Sequence, residues 1–258
     1  MEKKYEINVP VVSVIMPAYN AEKTIAAAIR SVQAQSMADW ELLVVDDGSR
    51  DGTCTIVEAI AAEDSRVIFL RNEVNLGAAG TRNRAMELAR GQFVALLDSD
   101  DYWRPGKLEK QLAHLRQTGA DLCYTAYTVV GEDGEPYGDY PVPETTDYSA
   151  MLGENCIGCS TVLMTAKLAK DYRFTTEFYH EDYVMWLQML RDGKKAVGVQ
   201  EVLVDYTYRP DSRAGNKVAS AKYRWRIYRD YLKLPWGKCI YYLTQYALAG
   251  LKKYRRKG

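Results

Sequence analysis

Asp98-Ser99-Asp100 sets two carboxylates two residues apart, at the end of the apolar run from Phe93 to Leu97. Carboxylates facing one rim repel, and their ionisation is costly without a counter-charge. A hard divalent cation held by oxygen ligands, Mn²⁺ or Mg²⁺, removes that cost. It keeps some waters and takes its remaining oxygens from a substrate diphosphate. The plainer alternative is a turn whose aspartates cap the next helix. Asp46-Asp47-Gly48-Ser49 ends a second apolar run, Glu41 to Val45. It is either a turn and an N-cap or an acceptor for the imide N–H of a pyrimidine base. Glu181-Asp182 opens an amphipathic segment with Val184, Leu187 and Leu190 on one side. Two acids in a first helical turn suit the helix dipole, and either one can serve as general base for an acceptor hydroxyl.

Weaker signals surround these clusters. Gly77, after Asn75-Leu76, permits close backbone approach at a helix start, where a phosphate is favoured. Arg82 adds a fixed positive fork. Tyr19 can supply a ring near a nucleoside. Cys156-x-x-Cys159 lacks the second ligand pair of a zinc site, so it reads as small structural residues before a strand. His114 reads as structural, and His180 adjoins the acidic pair. Neither G-x-G-x-x-G nor G-x-x-x-x-G-K-[ST] is present, which argues against dinucleotide and P-loop sites.

The elements that must position these residues follow from periodicity. Val11–Met16, 41–45, 67–71 and 93–97 read as buried strands. Helices are expected over about 25–32, 53–63 and 78–90, with Asn20 capping the first. Alternating strands and helices imply βαβ units and a mainly parallel central sheet flanked by helices. Ligands of such sheets bind beyond the carboxyl ends of the strands. The clusters at 17–20, 46–47 and 98–100 all lie at those ends, so topology gathers them on one rim. Further on, a helix over 106–118, strands near 121–130 and 160–165, a helix from 181 and an extended 197–208 are expected. Residues 131–147, with three prolines, read as a surface loop. Two amphipathic helices, 217–233 and 238–255, close the chain.

The chain has 258 residues, 47% hydrophobic and 26% charged, as in an ordinary globular protein and unlike a disordered or fibrous one. No apolar run approaches the roughly 18 residues of a membrane span. The N-terminus shows no secretory h-region. Five cysteines suit a reducing compartment, so a cytoplasmic location is expected. Formal net charge is zero but divides unevenly: residues 213–258 carry 13 Lys and Arg against Asp230 alone. Trp225, Tyr228, Tyr231, Trp236, Tyr241, Tyr242, Tyr246 and Tyr254 interleave with those bases. That mixture suits an anionic membrane surface, with aromatics at headgroup level. A nucleic-acid partner is not expected, because the body of the chain is acidic.

Taken together and in order, the motifs resemble those of family 2 glycosyltransferases of the bacterial surface-polysaccharide type, which have the GT-A fold. The matching residues are Pro17-Ala18-Tyr19-Asn20-Ala21-Glu22, Ser31 to Gln35, Val44 to Thr53, Asn75-Leu76-Gly77, Arg82-Asn83, Gly91, Leu97 to Asp101, Glu181-Asp182 and Tyr208-Arg209. The resemblance implies a GT-A domain over 1–210. About 10–101 would bind nucleotide sugar, 102–210 would bind acceptor, and 211–258 would form a membrane-associating tail. It implies an inverting, metal-dependent transfer from a UDP-linked sugar to a glycan or lipid-linked oligosaccharide, peripherally on the inner face of the plasma membrane. By analogy Asp47 reads uracil, with Pro17 and Tyr19 beside it. Asp98 lies near ribose or metal, and Asp100 holds the Mn²⁺ or Mg²⁺. Arg82 and Arg209 meet the diphosphate. Asp182 is the base, with Glu181 alongside. Ala18, Glu22, Asp46, Asn75, Gly77 and Ser99 complete the nucleotide-sugar site. After Tyr208-Arg209 the pattern departs, with only Ser212 matching the family's spaced serines. Two other classes compete with this reading. A sugar-phosphate nucleotidyltransferase needs a Gly-rich basic loop where Pro17-Ala18-Tyr19-Asn20 stands. A silent GT-A-like glycan-binding or scaffold protein predicts lost carboxylates, and both acidic motifs are intact.

Overall fold

The computed structural model describes residues 9–209 and 217–255, with no side-chain description for 217–218 and 249–255. The first half alternates as its periodicity demands. β1 (Val12–Ala18), α1 (Ile25–Gln33), β2 (Trp40–Asp46), α2 (Thr53–Glu63), β3 (Val67–Arg71), α3 (Gly77–Leu88) and β4 (Phe93–Leu96) follow in order. The chain continues through β5 (Tyr102–Trp103), α4 (Lys107–Thr118), β6 (Leu122–Val130), β7 (Pro136–Tyr140), β8 (Thr145–Thr146) and α5 (Tyr148–Gly153). Next come a 3₁₀ turn at Cys159–Thr161, β9 (Leu163–Thr165), α6 (Ala166–Asp171), α7 (Glu181–Arg191) and β10 (Ala196–Thr207). α8 (Lys217–Arg226), a π turn over Ile227–Tyr231 and α9 (Trp236–Arg255) close the described chain.

One sheet runs β3-β2-β1-β4-β9-β6-β10-β5, with β7 on β6 and β8 on β10. Pairing is parallel along β3-β2-β1-β4 and again between β6 and β10. β9 pairs antiparallel to both β4 and β6 and joins the two parallel sets. Every residue of β2 is buried, as a strand covered on both faces requires. Side chains alternate between two cores. Val12, Val14 and Met16 pack on the face of α1, and Ile15, Leu43 and Val45 pack on the face of α3 and α7.

Three local expectations are corrected. Asn20 does not cap α1. The helix begins at Ile25 after a turn, and Asn20, at φ +48, accepts from the Arg50 backbone N–H instead. The 131–147 segment is not all loop, since β7 and β8 pair within it. The closing segment is not simply a solvated or membrane-facing tail. Tyr228, Ile227 and Cys239 are 0% exposed, and Arg224 is buried beneath the Tyr183 and Tyr246 rings. Trp225, Tyr231 and Tyr242 also pack against the core. All five cysteines are free thiols. Among the described residues no helix is long and apolar enough to cross a membrane. Ser212 and the surrounding 210–216 segment lie outside the described residues, as do Lys3, Lys4 and the last three positions.

Candidate active site

The carboxyl ends of β1, β2 and β4 and the start of α7 enclose a pocket of about 740 Å³. Pro17, Ala18, Tyr19, Asp47, Asn75 and Gly77 line one end. Arg82, Asp98, Ser99, Asp100, Glu181 and Asp182 line the other. Parallel strands pointing one way are what bring such distant residues together.

Asp46 and Glu22 are corrections to the expected set. The Asp46 carboxylate is fully buried behind the rim and accepts from the Gly48 and Ser49 N–H groups. Glu22 accepts from the Gly52 N–H and fastens the 20–22 stretch to the 51–53 loop. Both shape the rim without lining the pocket. Asp47 does line it, but its carboxylate is already occupied. It accepts from Asn72 Nδ2 at 2.7 Å and from the Leu76 and Gly77 N–H groups at 2.8 Å each. Asn75 Nδ2 donates to the Asp47 carbonyl at 2.8 Å. The Asp47 turn and the start of α3 are thus one hydrogen-bonded unit. Gly77 is required for its φ of +70°, not for close approach, because a Cβ there would meet open space.

Arg82 is 6% exposed and spans two acids. Its Nη2 lies 2.5 Å from Asp98 Oδ1, and its Nη1 lies 2.8 Å from Glu181 Oε1. The resemblance puts this guanidinium at the diphosphate, whereas the structure has it between carboxylates, with only Nε unpartnered. Burial opposes its charge, but the Asp98 and Glu181 carboxylates hold its pKa well above the usual value. Arg209 Nε sits 3.4 Å from Asp100 Oδ2 and 3.7 Å from Glu132, so it reaches the site through Asp100.

Burial, and then the nearby Asp98 charge, raise the Asp100 pKa. The pair fits a hard divalent cation on its donor chemistry: two carboxylates crowd one wall and favour a shared positive charge. Among the described residues no group of three or more His, Cys, Asp and Glu could enclose a metal. A cation there would therefore draw most of its oxygens from water and a bound diphosphate. Asp101 faces inward, accepting from Ser160 Oγ and the Thr207 N–H.

Asp182 is the most perturbed acid that faces the pocket. Burial first, then the Glu181 charge, push its pKa up to about 7, and it accepts from the Tyr183 N–H at 2.7 Å. His180 precedes it at φ +63, a left-handed conformation that turns the chain into α7. Such backbone strain in a non-glycine residue often marks functional sites. Sequence reasoning missed Tyr206, Thr207, Cys159 and Tyr179, which also line the pocket. The Cys159 thiol is held protonated mainly by burial.

This rim of acids at the ends of parallel strands defines a GT-A glycosyltransferase fold. The model of "Glycosyl transferase family 2" matches residues 13–169, and the chain belongs to that family. Over 246 residues it is 39% identical to WfgD of Escherichia coli, a UDP-Glc:α-D-GlcNAc-diphosphoundecaprenol β-1,3-glucosyltransferase, covering 94% of each chain. It is 37% identical over 245 residues to TuaG of Bacillus subtilis (strain 168), a glycosyltransferase assigned to teichuronic acid biosynthesis. That match covers 95% of this chain and 97% of TuaG. Both relatives place it with the bacterial surface-polysaccharide enzymes. Among solved structures, S. aureus TarS 1-349 in complex with UDP-GlcNAc superposes with a TM-score of 0.69 at 24% identity. The match covers 84% of this chain and 64% of that one, just under two thirds. A Pyrobaculum calidifontis mannosyltransferase in complex with GDP-Man and Mn²⁺ superposes at 0.68 and 16% identity, covering 96% of this chain and 76% of that one.

Proposed function

We propose that the chain is an inverting transferase that moves a sugar from a UDP-linked donor to a hydroxyl of a lipid-linked glycan, in bacterial surface-polysaccharide synthesis. The observation that carries this reading is Asp182, a buried carboxyl poised near neutral pH on the wall of the acidic pocket. The acceptor oxygen attacks the anomeric carbon from the face opposite the diphosphate. Its proton passes to Asp182, and the electron pair of the breaking C–O bond leaves with the nucleoside diphosphate. Inversion in one displacement needs no covalent sugar–enzyme intermediate. Mn²⁺ or Mg²⁺ held by Asp98 and Asp100 would stabilise charge on the leaving diphosphate. Arg82 fixes Asp98 and Glu181, and Asp47 holds the loop that begins α3 against the nucleoside end. Pro17, Ala18, Tyr19, Asn75 and Gly77 shape that end, Ser99 lies between the two carboxylates Asp98 and Asp100, and Arg209 braces Asp100.

The enzyme would work peripherally on the inner face of the plasma membrane. Trp236, Ile240, Tyr241 and Leu248 of α9 are all more than half exposed and lie on one helical arc. Residues 1–210 would be the catalytic domain, with the nucleotide half before about residue 101 and the acceptor half after it.

A panel of UDP-sugars incubated with Mn²⁺ tests the donor reading. UDP release from one of them, lost in Asp100→Ala and Asp182→Asn, is the expected result. Failure of UDP itself to bind, followed by calorimetry, would overturn it. Flotation with phosphatidylglycerol vesicles tests the membrane reading, and unchanged binding of a Trp236→Ser/Ile240→Ser variant would sink it.

A further inference from the structure

A second cleft, of about 320 Å³, opens beside the pocket and shares Gly77, Ala78, Tyr179 and Glu181 with it. Its remaining walls are Leu76 and Ala79 at the start of α3, the 175–178 stretch and one side of α8, which presents Tyr223 and Arg226. Asn83 fastens this stretch to α3 by a pair of hydrogen bonds with the Phe174 backbone. Glu181 is one of the residues that cleft and pocket share, so a hydroxyl entering through the cleft can arrive beside Asp182.

The cleft lining combines an aromatic pair with a cation. Tyr179 and Tyr223 stack at 4.2 Å and 13° near the junction. Arg226 is the one cation lining the cleft among the described residues. Its Nε is 3.7 Å from Asp230 Oδ2, with both side chains more than half exposed. That pair is loose and solvent-screened, and a better-matched anion can displace it. The planar guanidinium fork suits phosphate oxygens. Next to it in sequence, Trp225 packs at 5.3 Å on Trp236, the first residue of the exposed arc of α9. The cleft thus offers a cation and an aromatic wall and shares the Glu181 carboxylate with the pocket. A lipid-linked glycosyl diphosphate presents matching parts: phosphates, a sugar ring and a reacting hydroxyl.

We propose that this cleft is the acceptor site, taking a lipid-linked glycosyl diphosphate with Arg226 on its phosphates and its sugar directed toward Asp182. The assignment rests on the transferase reading above. The test is calorimetry on the full chain with Mn²⁺ and saturating UDP. The probes are farnesyl-diphosphate-linked α-GlcNAc and the same farnesyl glycoside without phosphates. Arg226→Gln is expected to weaken the diphosphate probe by about tenfold. Arg226→Lys should recover part of that loss, and the phosphate-free probe should not distinguish the three proteins. Equal affinity of wild type and Arg226→Gln for the diphosphate probe, with UDP still binding, would overturn the acceptor assignment and leave the nucleotide site standing. Wild type that binds no UDP would overturn both.

Discussion

Glu181 Oε1 accepts a 2.8 Å hydrogen bond from Nη1 of Arg82, a residue 99 positions earlier in the chain. The other arm of the same guanidinium holds Asp98. One side chain therefore sets the spacing between the acid at the β4 rim and the acids that open α7.

Replacing Arg82 with Met leaves two nearly buried carboxylates facing each other. Removing one partner of a buried ion pair costs about 3–5 kcal/mol. A urea-melt loss toward the lower end of that range is expected, since Asp98 retains some solvent contact. Arg82→Lys can satisfy only one acid at a time. It should keep more of the stability and still lose kcat, measured as nucleotide release.

The Asp182 carboxyl, pushed up to about 7 mainly by burial, must be ionised to accept a proton. The rate should fall as pH drops through about 7, and Asp182→Asn should lower kcat by about 10²–10⁴-fold. Stability runs the other way. The folded state binds this proton more tightly than the unfolded chain does, so its contribution fades as pH rises from about 4 to about 7. Asp182→Asn should therefore gain Tm on wild type at pH 8 relative to pH 4. Paired melts at the two pH values check the sign.

Among the described residues Lys107 has no carboxylate partner. Its Nζ donates to Gln111 Oε1 at 2.7 Å and lies 3.9 Å over the Trp103 ring, and burial pulls its pKa down to about 7. The unfolded chain holds that proton more tightly, so stability should rise with pH from about 7 to about 10. Lys107→Met removes this slope. Urea midpoints at pH 7 and pH 9.5 should differ less in the variant than in wild type.

Gly91 lies at the opposite end of the sheet from the pocket. Its N–H donates to Ser13 Oγ, and an added Cβ would come 2.5 Å from the Ser13 backbone nitrogen. Gly91→Ala should cost about 1–3 kcal/mol through overpacking. Its effect on donor KM should be negligible, which separates a stability defect from a site defect.

The rim was legible because four apolar runs alternate with helical periodicity, and parallel strands align their ends. Which carboxylate of a motif faces the pocket was not. Asp46 and Asp47 are adjacent, yet one supports a turn from behind and the other faces the pocket. Motif order does not record side-chain direction. Tyr206 enters from a distant strand that carries no local signature, and the Cys156-x-x-Cys159 spacing suggests metal or redox chemistry rather than a pocket wall. The excess of bases in the closing segment hides that part of it packs on the core. Ser220, Arg224, Ile227 and Tyr228 fall at i, i+4, i+7 and i+8, the stripe of a helix packed on a core, with an arginine inside it.

The antiparallel seam between β4 and β9 bears on how the chain is made. The ribosome releases β1 to β4 first, and those strands can assemble at once. Phe93 to Ala95 pair on their free side only with Leu163 to Thr165, which emerge much later. At about 5–20 residues per second the nascent sheet waits several seconds with an apolar edge unpaired. β5, synthesised just after β4, must also wait for β10, its partner in the sheet. Holding that edge apart from other chains during synthesis is thus a task set by strand order alone.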